Sequence, residues 1–275
     1  MYSGVEEHVI YQVANSPIRE YPFPHIYVES VFPWDFYSEL RRNWPGGTNL
    51  VSLRSTGRVH QDYPAERFVM QLCESEVNKL PGEARQFWTG FAEWLVVKQR
   101  FMQILIEKFG SHVQRRFGTG LGSVGFFAES LVVRDYTNFS LGPHTDAPHR
   151  LMSLLFYCPD DDARKHLGTS LYTPVDPDFS CTGGRHYPQH LFRKVATMEY
   201  RPNTLFAFLK TDNSFHGVEP IGDAKVLRDV LLYDIRVEEA PAAADAAPPG
   251  GRPQIGLGML RRIFSRQKQS TTGET

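Results

Sequence analysis

Four apolar, strand-like runs from residue 126 onward each meet a residue able to hold a metal or an anion. Residues 126–136 are strand-like and end on Tyr136. His144 and Asp146 stand just before a second run, 151–157, and His216 follows a third, 204–209. Arg228 leads directly into a fourth, 230–235. Val, Phe, Leu and Tyr dominate these runs, and Gly, Pro and Asp punctuate them, which is the signature of an antiparallel β domain with short connections. Ligating groups gathered at strand ends demand a fold that returns several strands to one mouth.

The spacing of His144 and Asp146 narrows the reading. Residues i and i+2 of an extended strand point to the same face, so both side chains can grip one ion while Thr145 turns away. With His216 they make two imidazoles and one carboxylate. That is the facial triad of non-haem Fe(II) sites, which leaves coordination positions open.

These residues carry a resemblance. The segment 142–146, Gly-Pro-His-Thr-Asp, together with Phe215-His216-Gly217 and Arg228, resembles the 2-oxoglutarate/Fe(II)-dependent oxygenase superfamily in its prolyl-4-hydroxylase-like branch. The likeness extends over residues 22–237 and includes an entry segment at 21–33. It implies a mainly β fold with flanking helices around a double-stranded β-helix (jelly-roll) core. It also implies Fe(II) on His144, Asp146 and His216, and 2-oxoglutarate as co-substrate with its far carboxylate on Arg228 and Tyr136. Dioxygen is the third reactant. The expected reaction is hydroxylation of an organic substrate, with oxidative decarboxylation of 2-oxoglutarate to succinate. Relatives that halogenate lack the carboxylate ligand, so Asp146 favours hydroxylation. Two departures stand out: Val230 occupies a position where many relatives carry Ser or Thr, and Arg228 stands where many prolyl hydroxylases use Lys. The alternative is a non-catalytic, cupin-like jelly-roll binding protein, since this architecture hosts many functions.

Composition bounds the rest. The chain has 275 residues, 41% of them hydrophobic and 13% aromatic, enough for a substantial core. A net charge of −1 offers no electrostatic case for nucleic acid. Three cysteines at unrelated spacings describe no disulfide framework and suit a reducing interior. The absence of a signal-like start or a long apolar run leads to the expectation of a cytoplasmic protein.

Residues 33–44 read as a short helix, 46–67 as loop, and 81–117 as two helices breaking near Gly110. Residues 1–237 are expected to form the single oxygenase domain, with a helical buttress in its N-terminal part. Residues 238–275 follow as a flexible Ala/Pro-rich linker and basic tail. Within that tail, 255–268 has apolar residues on one side and basic ones on the other, a candidate for weak membrane-surface contact. The insert at 175–190 is long for a strand connection and is the expected seat of specificity. It contains Cys181, His186 and His190, a partial zinc-like set that lacks a fourth ligand. Its glycines and Pro188 argue against a helix there. His149 and Arg150, just beyond the metal strand, read as a solvated turn, with contact to substrate as the alternative.

Overall fold

The computed structural model describes residues 4–222 and 226–238. The expected linker and basic tail lie outside the described residues, apart from Glu238. The chain forms β1 (His25–Glu29), β2 (Val51–Ser52), β3 (Arg67–Gln71), β4 (Phe126–Asp135), β5 (Leu141–His144) and β6 (Arg150–Tyr157). These are followed by β7 (Thr169–Pro174), β8 (Phe192–Met198), β9 (Thr204–Leu209), β10 (His216–Val218) and β11 (Arg228–Val237). One sheet has the order β1-β9-β6-β11-β4-β3-β2, and the other β5-β10-β7-β8.

From β4 to β7 successive strands alternate between the two sheets. The β7–β8 hairpin turns the path within the smaller sheet, and β8 to β11 alternate again on the way back. All pairings are antiparallel. This winding is a double-stranded β-helix, the jelly roll that the sequence leads one to expect. It brings the end of β5 and the start of β10 side by side, with His144 and His216 as directly paired residues.

The larger sheet is covered on both faces, which explains why every residue from Leu151 to Tyr157 is buried rather than every second one. Alternate residues of β11 show the division. Leu231, Tyr233 and Ile235 face the helices, while Val230 and its neighbours Val133 and Tyr157 face the space between the sheets. The helices are α1 (Val5–Asn15), α2 (Trp34–Arg42), α3 (Glu74–Val77), α4 (Gly82–Ala92), α5 (Arg100–Lys108) and α6 (Gly110–Phe117). Trp88, Phe91, Leu95, Phe101, Leu105 and Phe109 supply their buried face, as the apolar spacing predicts.

The break in that helical stretch differs from expectation. A π-helical turn, Glu93–Val97, follows α4, and Gln99 adopts a left-handed φ of 58° before α5 begins. The one seven-residue step in the apolar pattern, Leu95 to Met102, spans this break. No Gly or Pro marks it, so the local signal points only to the later redirection at Phe109–Gly110. Among the described residues no helix is long and apolar enough to cross a membrane.

Candidate metal centre

His144 ends β5, Asp146 lies two residues beyond it, and His216 opens β10. One ligand atom from each lies within 4.8 Å of the others, and all three residues are buried. Among the described residues no other group of three His, Cys, Asp or Glu side chains converges in this way. Cys181, His186 and His190 therefore do not assemble a zinc site.

Backbone carbonyls set the imidazoles. His144 Nδ1 lies 2.9 Å from Gly142 O, and His216 Nδ1 lies 2.9 Å from Ser214 O. A carbonyl can only accept, so each Nδ1 carries the proton and each Nε2 keeps a free lone pair for a cation. Burial pushes the His144 imidazole down to about 3, with the His216 ring beside it adding to the effect. Burial also lowers His216. Both rings are thus neutral, the form that ligates. Burial alone would raise the Asp146 carboxyl, but the Arg150 guanidinium, helped by the Ser153 hydroxyl, holds it below the ordinary carboxylate range. Arg150 Nη1 donates to Asp146 Oδ1 at 3.0 Å, and Ser153 Oγ donates to Oδ2 at 2.6 Å. Arg150 also reaches Asp234, Nη2 to Oδ2 at 2.9 Å. A neutral imidazole pair beside an ionised, oriented carboxylate is a donor set for a divalent first-row metal.

The insert at 175–190 is built into this centre. Gly184 N donates to Thr145 O and Tyr187 N to Pro143 O, both at 2.9 Å, so the insert lines the otherwise open edge of β5. Thr145 Oγ1 donates to Cys181 O at 2.9 Å, which confirms that Thr145 turns away from the ligands. Gly183 has φ +132°, and a Cβ there would sit 2.0 Å from Asp146 O, so only glycine fits. His186 is held with its ring centroid 4.6 Å from that of His144.

A cavity of about 690 Å³ opens from the three ligands between the sheets. Leu131, Leu155 and Leu232 make its apolar wall, and His149, Arg150 and His186 line it nearer the ligands. Segment 46–67, expected as loop, is largely irregular and contributes Arg58 and Tyr63 to the wall.

Arg228 stands differently from expectation. It is fully buried behind the wall rather than on it, with its guanidinium 5.7 Å from the Tyr157 ring and 5.4 Å from the Tyr200 ring. Nε donates to Leu167 O at 2.7 Å and Nη1 to Asp135 Oδ2 at 2.8 Å, while Nη2 has no hydrogen-bond partner. Asp135 is shared. Arg67, from β3, donates Nε to Oδ1 at 2.6 Å and Nη2 to Oδ2 at 2.9 Å, and Arg67 does line the cavity. Register explains the cluster, because Arg67, Asp135 and Arg228 are consecutive partners across β3, β4 and β11. Two guanidiniums on one buried carboxylate leave one positive charge uncompensated at that end.

Tyr136 is a correction. It follows Asp135, which points inward, so its own side chain lies on the opposite face. There its ring packs at 5.1 Å from Phe68, and its hydroxyl lies 3.8 Å from where a Cβ on Gly47 would sit; Tyr136 does not line the cavity. The tyrosines beside Arg228 are Tyr157 and Tyr200; the Tyr200 hydroxyl donates to Asp229 O at 3.0 Å, whereas the Tyr157 hydroxyl donates to Thr169 Oγ1 at 2.7 Å, and Thr169 lines the cavity. Tyr157 ends the apolar run 151–157, and only the register of β6 against β11 reveals its place beside Arg228.

No protein-family model matches the chain, and no curated protein matches it. Solved structures similar to it include a Pseudomonas putida prolyl-4-hydroxylase, 14% identical over 84% of this chain and 98% of that one, TM-score 0.46. A Burkholderia pseudomallei oxidoreductase of the 2OG-Fe(II) oxygenase family is 12% identical over 86% and 91%, TM-score 0.40. The non-heme alpha ketoglutarate dependent epimerase SnoN from nogalamycin biosynthesis is 11% identical over 91% and 95%, TM-score 0.44.

Proposed function

We propose that the protein is an Fe(II)- and 2-oxoglutarate-dependent oxygenase that hydroxylates an organic substrate. The observation that carries this reading is the pairing of two buried features in one jelly roll. One is a His–Asp–His donor set with neutral, pre-oriented imidazoles, and the other is an uncompensated guanidinium pair at the far end of the same interior.

The residues fit the group. His144, Asp146 and His216 would hold the metal on one face. The Arg67–Asp135–Arg228 row would hold the distal carboxylate of 2-oxoglutarate, with the orphaned Nη2 of Arg228 and the Thr169 hydroxyl, which Tyr157 positions, as donors. Arginine suits that role because its planar fork matches a carboxylate and keeps its charge. Bound there, Fe(II) with 2-oxoglutarate and dioxygen supplies an oxidant for an unactivated C–H bond, together with succinate and carbon dioxide. The chain supplies position. Gly142 O and Ser214 O hold the imidazole protons away from the metal, and Ser153 and Arg150 fix the Asp146 carboxylate. The leucine wall keeps water from the reacting centre. Asp146 occupies the position a halide would need, which favours hydroxylation.

Anaerobic titration with Fe(II) and 2-oxoglutarate tests the reading. The wild type should develop the visible metal-to-ligand charge-transfer band, and His144→Ala, Asp146→Ala and His216→Ala should each lose it while keeping their fold. Arg228→Met breaks a buried charged pair, a loss of about 2–5 kcal/mol. The apparent constant for 2-oxoglutarate in succinate production should therefore rise roughly 30-fold to several thousand-fold. A normal band in all three ligand variants would sink the proposal.

A further inference from the structure

The charges around the cavity do not cancel, and the surplus has a location. Five guanidiniums stand on or directly behind its wall: Arg58, Arg67, Arg150, Arg228 and Arg236. Four carboxylates answer them, three of them buried and Glu129 partly exposed. Asp135 takes Arg67 and Arg228, Asp146 and Asp234 share Arg150, and Glu129 takes both Arg58 and Arg236. The protein groups alone leave one positive charge. On the oxygenase reading, a divalent metal adds two positive charges and 2-oxoglutarate removes two, so the loaded site keeps one.

Balancing each end separately places it. The metal with one carboxylate of 2-oxoglutarate offsets the negative excess of Asp146 and Asp234 over Arg150. The distal carboxylate offsets the positive excess around Asp135. What remains is Arg58 and Arg236 on Glu129. Arg58 Nη2 donates to Glu129 Oε1 at 2.5 Å, and Arg236 Nε meets the same oxygen. Their side chains are 27%, 19% and 15% exposed for Arg58, Arg236 and Glu129. Among the described residues, Glu129 is the one carboxylate in ion-pair contact with either arginine; Asp234 also feels Arg236, but its own ion pair is with Arg150. Asp62 also borders the cavity, but its side chain is 91% exposed and paired with His60 in solvent, where its charge is screened. Partly buried charge is normally paired, and here the second arginine lacks its counter-ion.

We infer that the substrate of the proposed oxygenase carries an oxyanion group, a carboxylate or a phosphate, and that Arg58 and Arg236 together seat it. The group has the chemistry two adjacent guanidiniums recognise: paired, charge-assisted acceptors. Arg58 comes from the segment before β3 and Arg236 from β11, so the seat joins an irregular wall segment to a core strand of the larger sheet. This inference rests on the oxygenase reading, because the metal and co-substrate charges enter the count.

Full-length protein saturated with Fe(II) and 2-oxoglutarate under nitrogen should be titrated calorimetrically with matched probes. N-acetylglycine against N-acetylglycinamide tests a carboxylate, and glycerol 1-phosphate against glycerol tests a phosphate. At least one anionic probe should bind about tenfold or more tightly than its neutral partner. Which pair shows the difference identifies the oxyanion. Arg58→Met and Arg236→Met should each reduce that preference, with metal and 2-oxoglutarate uptake measured on the same samples and unchanged. Arg58→Lys, in an irregular segment that tolerates change, should keep part of it. Equal binding of charged and neutral probes, or a preference that survives in both methionine variants, overturns the inference while leaving the oxygenase reading intact. Failure of the wild type to take up 2-oxoglutarate overturns the reading, and this inference with it.

Discussion

Ser153 Oγ lies 2.6 Å from Asp146 Oδ2 and donates to it, while Arg150 Nη1 holds the other carboxylate oxygen at 3.0 Å. Asp146 lies on the loop between β5 and β6 and Ser153 within β6, and the loop between them closes on itself through Arg150 N to Ala147 O. The carboxylate is therefore oriented before any metal arrives. Ser153→Ala should weaken metal binding by roughly 10- to 100-fold, the usual effect of removing a partner behind a ligand. A metal titration alongside thermal unfolding checks this, with little change expected in the unfolding midpoint.

Gly183 approaches Asp146 O more closely than any Cβ permits, and its φ is positive. Gly183→Ala should push the insert off the ligand strand, costing about 1–3 kcal/mol in strain and lowering metal affinity. Gly184→Ala makes the useful comparison, because a Cβ there meets nothing within 4 Å although φ is +84°. Equal metal affinity in the two variants would show that the contact with Asp146 is immaterial.

The two tyrosines should separate cleanly. Tyr157→Phe removes the hydroxyl beside Arg228 and leaves Thr169 without that partner, so 2-oxoglutarate affinity should fall by about 5- to 30-fold. Tyr136→Phe should leave it unchanged, because Tyr136 does not line the cavity. Titrating 2-oxoglutarate into metal-loaded samples of both variants decides the matter.

Arg116, on α6, donates to Arg150 O at 2.8 Å, to Lys210 O at 3.3 Å and to Pro148 O at 2.5 Å. It ties the loop after Asp146 to the loop that leads to His216. Arg116→Met should destabilise the fold by about 1–3 kcal/mol through unsatisfied carbonyls. It should also weaken the metal beyond what that loss explains. Denaturant unfolding of the metal-free protein, compared with metal affinity, distinguishes a shared loss from a purely structural one.

The local rules of chain geometry carried much of this. A period of two along a strand puts His144 and Asp146 on one face whatever the strand later pairs with. Apolar alternation and turn residues likewise announce the β-rich half, and three- and four-residue steps announce the helices on its outer face. The break at Gln99 was not legible, because a left-handed glutamine carries no compositional mark.

Other features depend on register between strands far apart in sequence. Arg228 looks like a free cation at the head of a strand until β4 sets Asp135 opposite it and β3 adds Arg67 to the same row. Tyr136 looks like a cavity donor until its neighbour Asp135 takes the inward face. Ser153, Tyr157 and the Arg58–Glu129–Arg236 cluster acquire their roles only when β6, β11 and the segment before β3 meet. The sequence by itself determined which residues could bind a metal and which face of a strand they share. Side-chain direction along one strand is a local property of the backbone, whereas the partner across the sheet is chosen by the pairing of the whole fold.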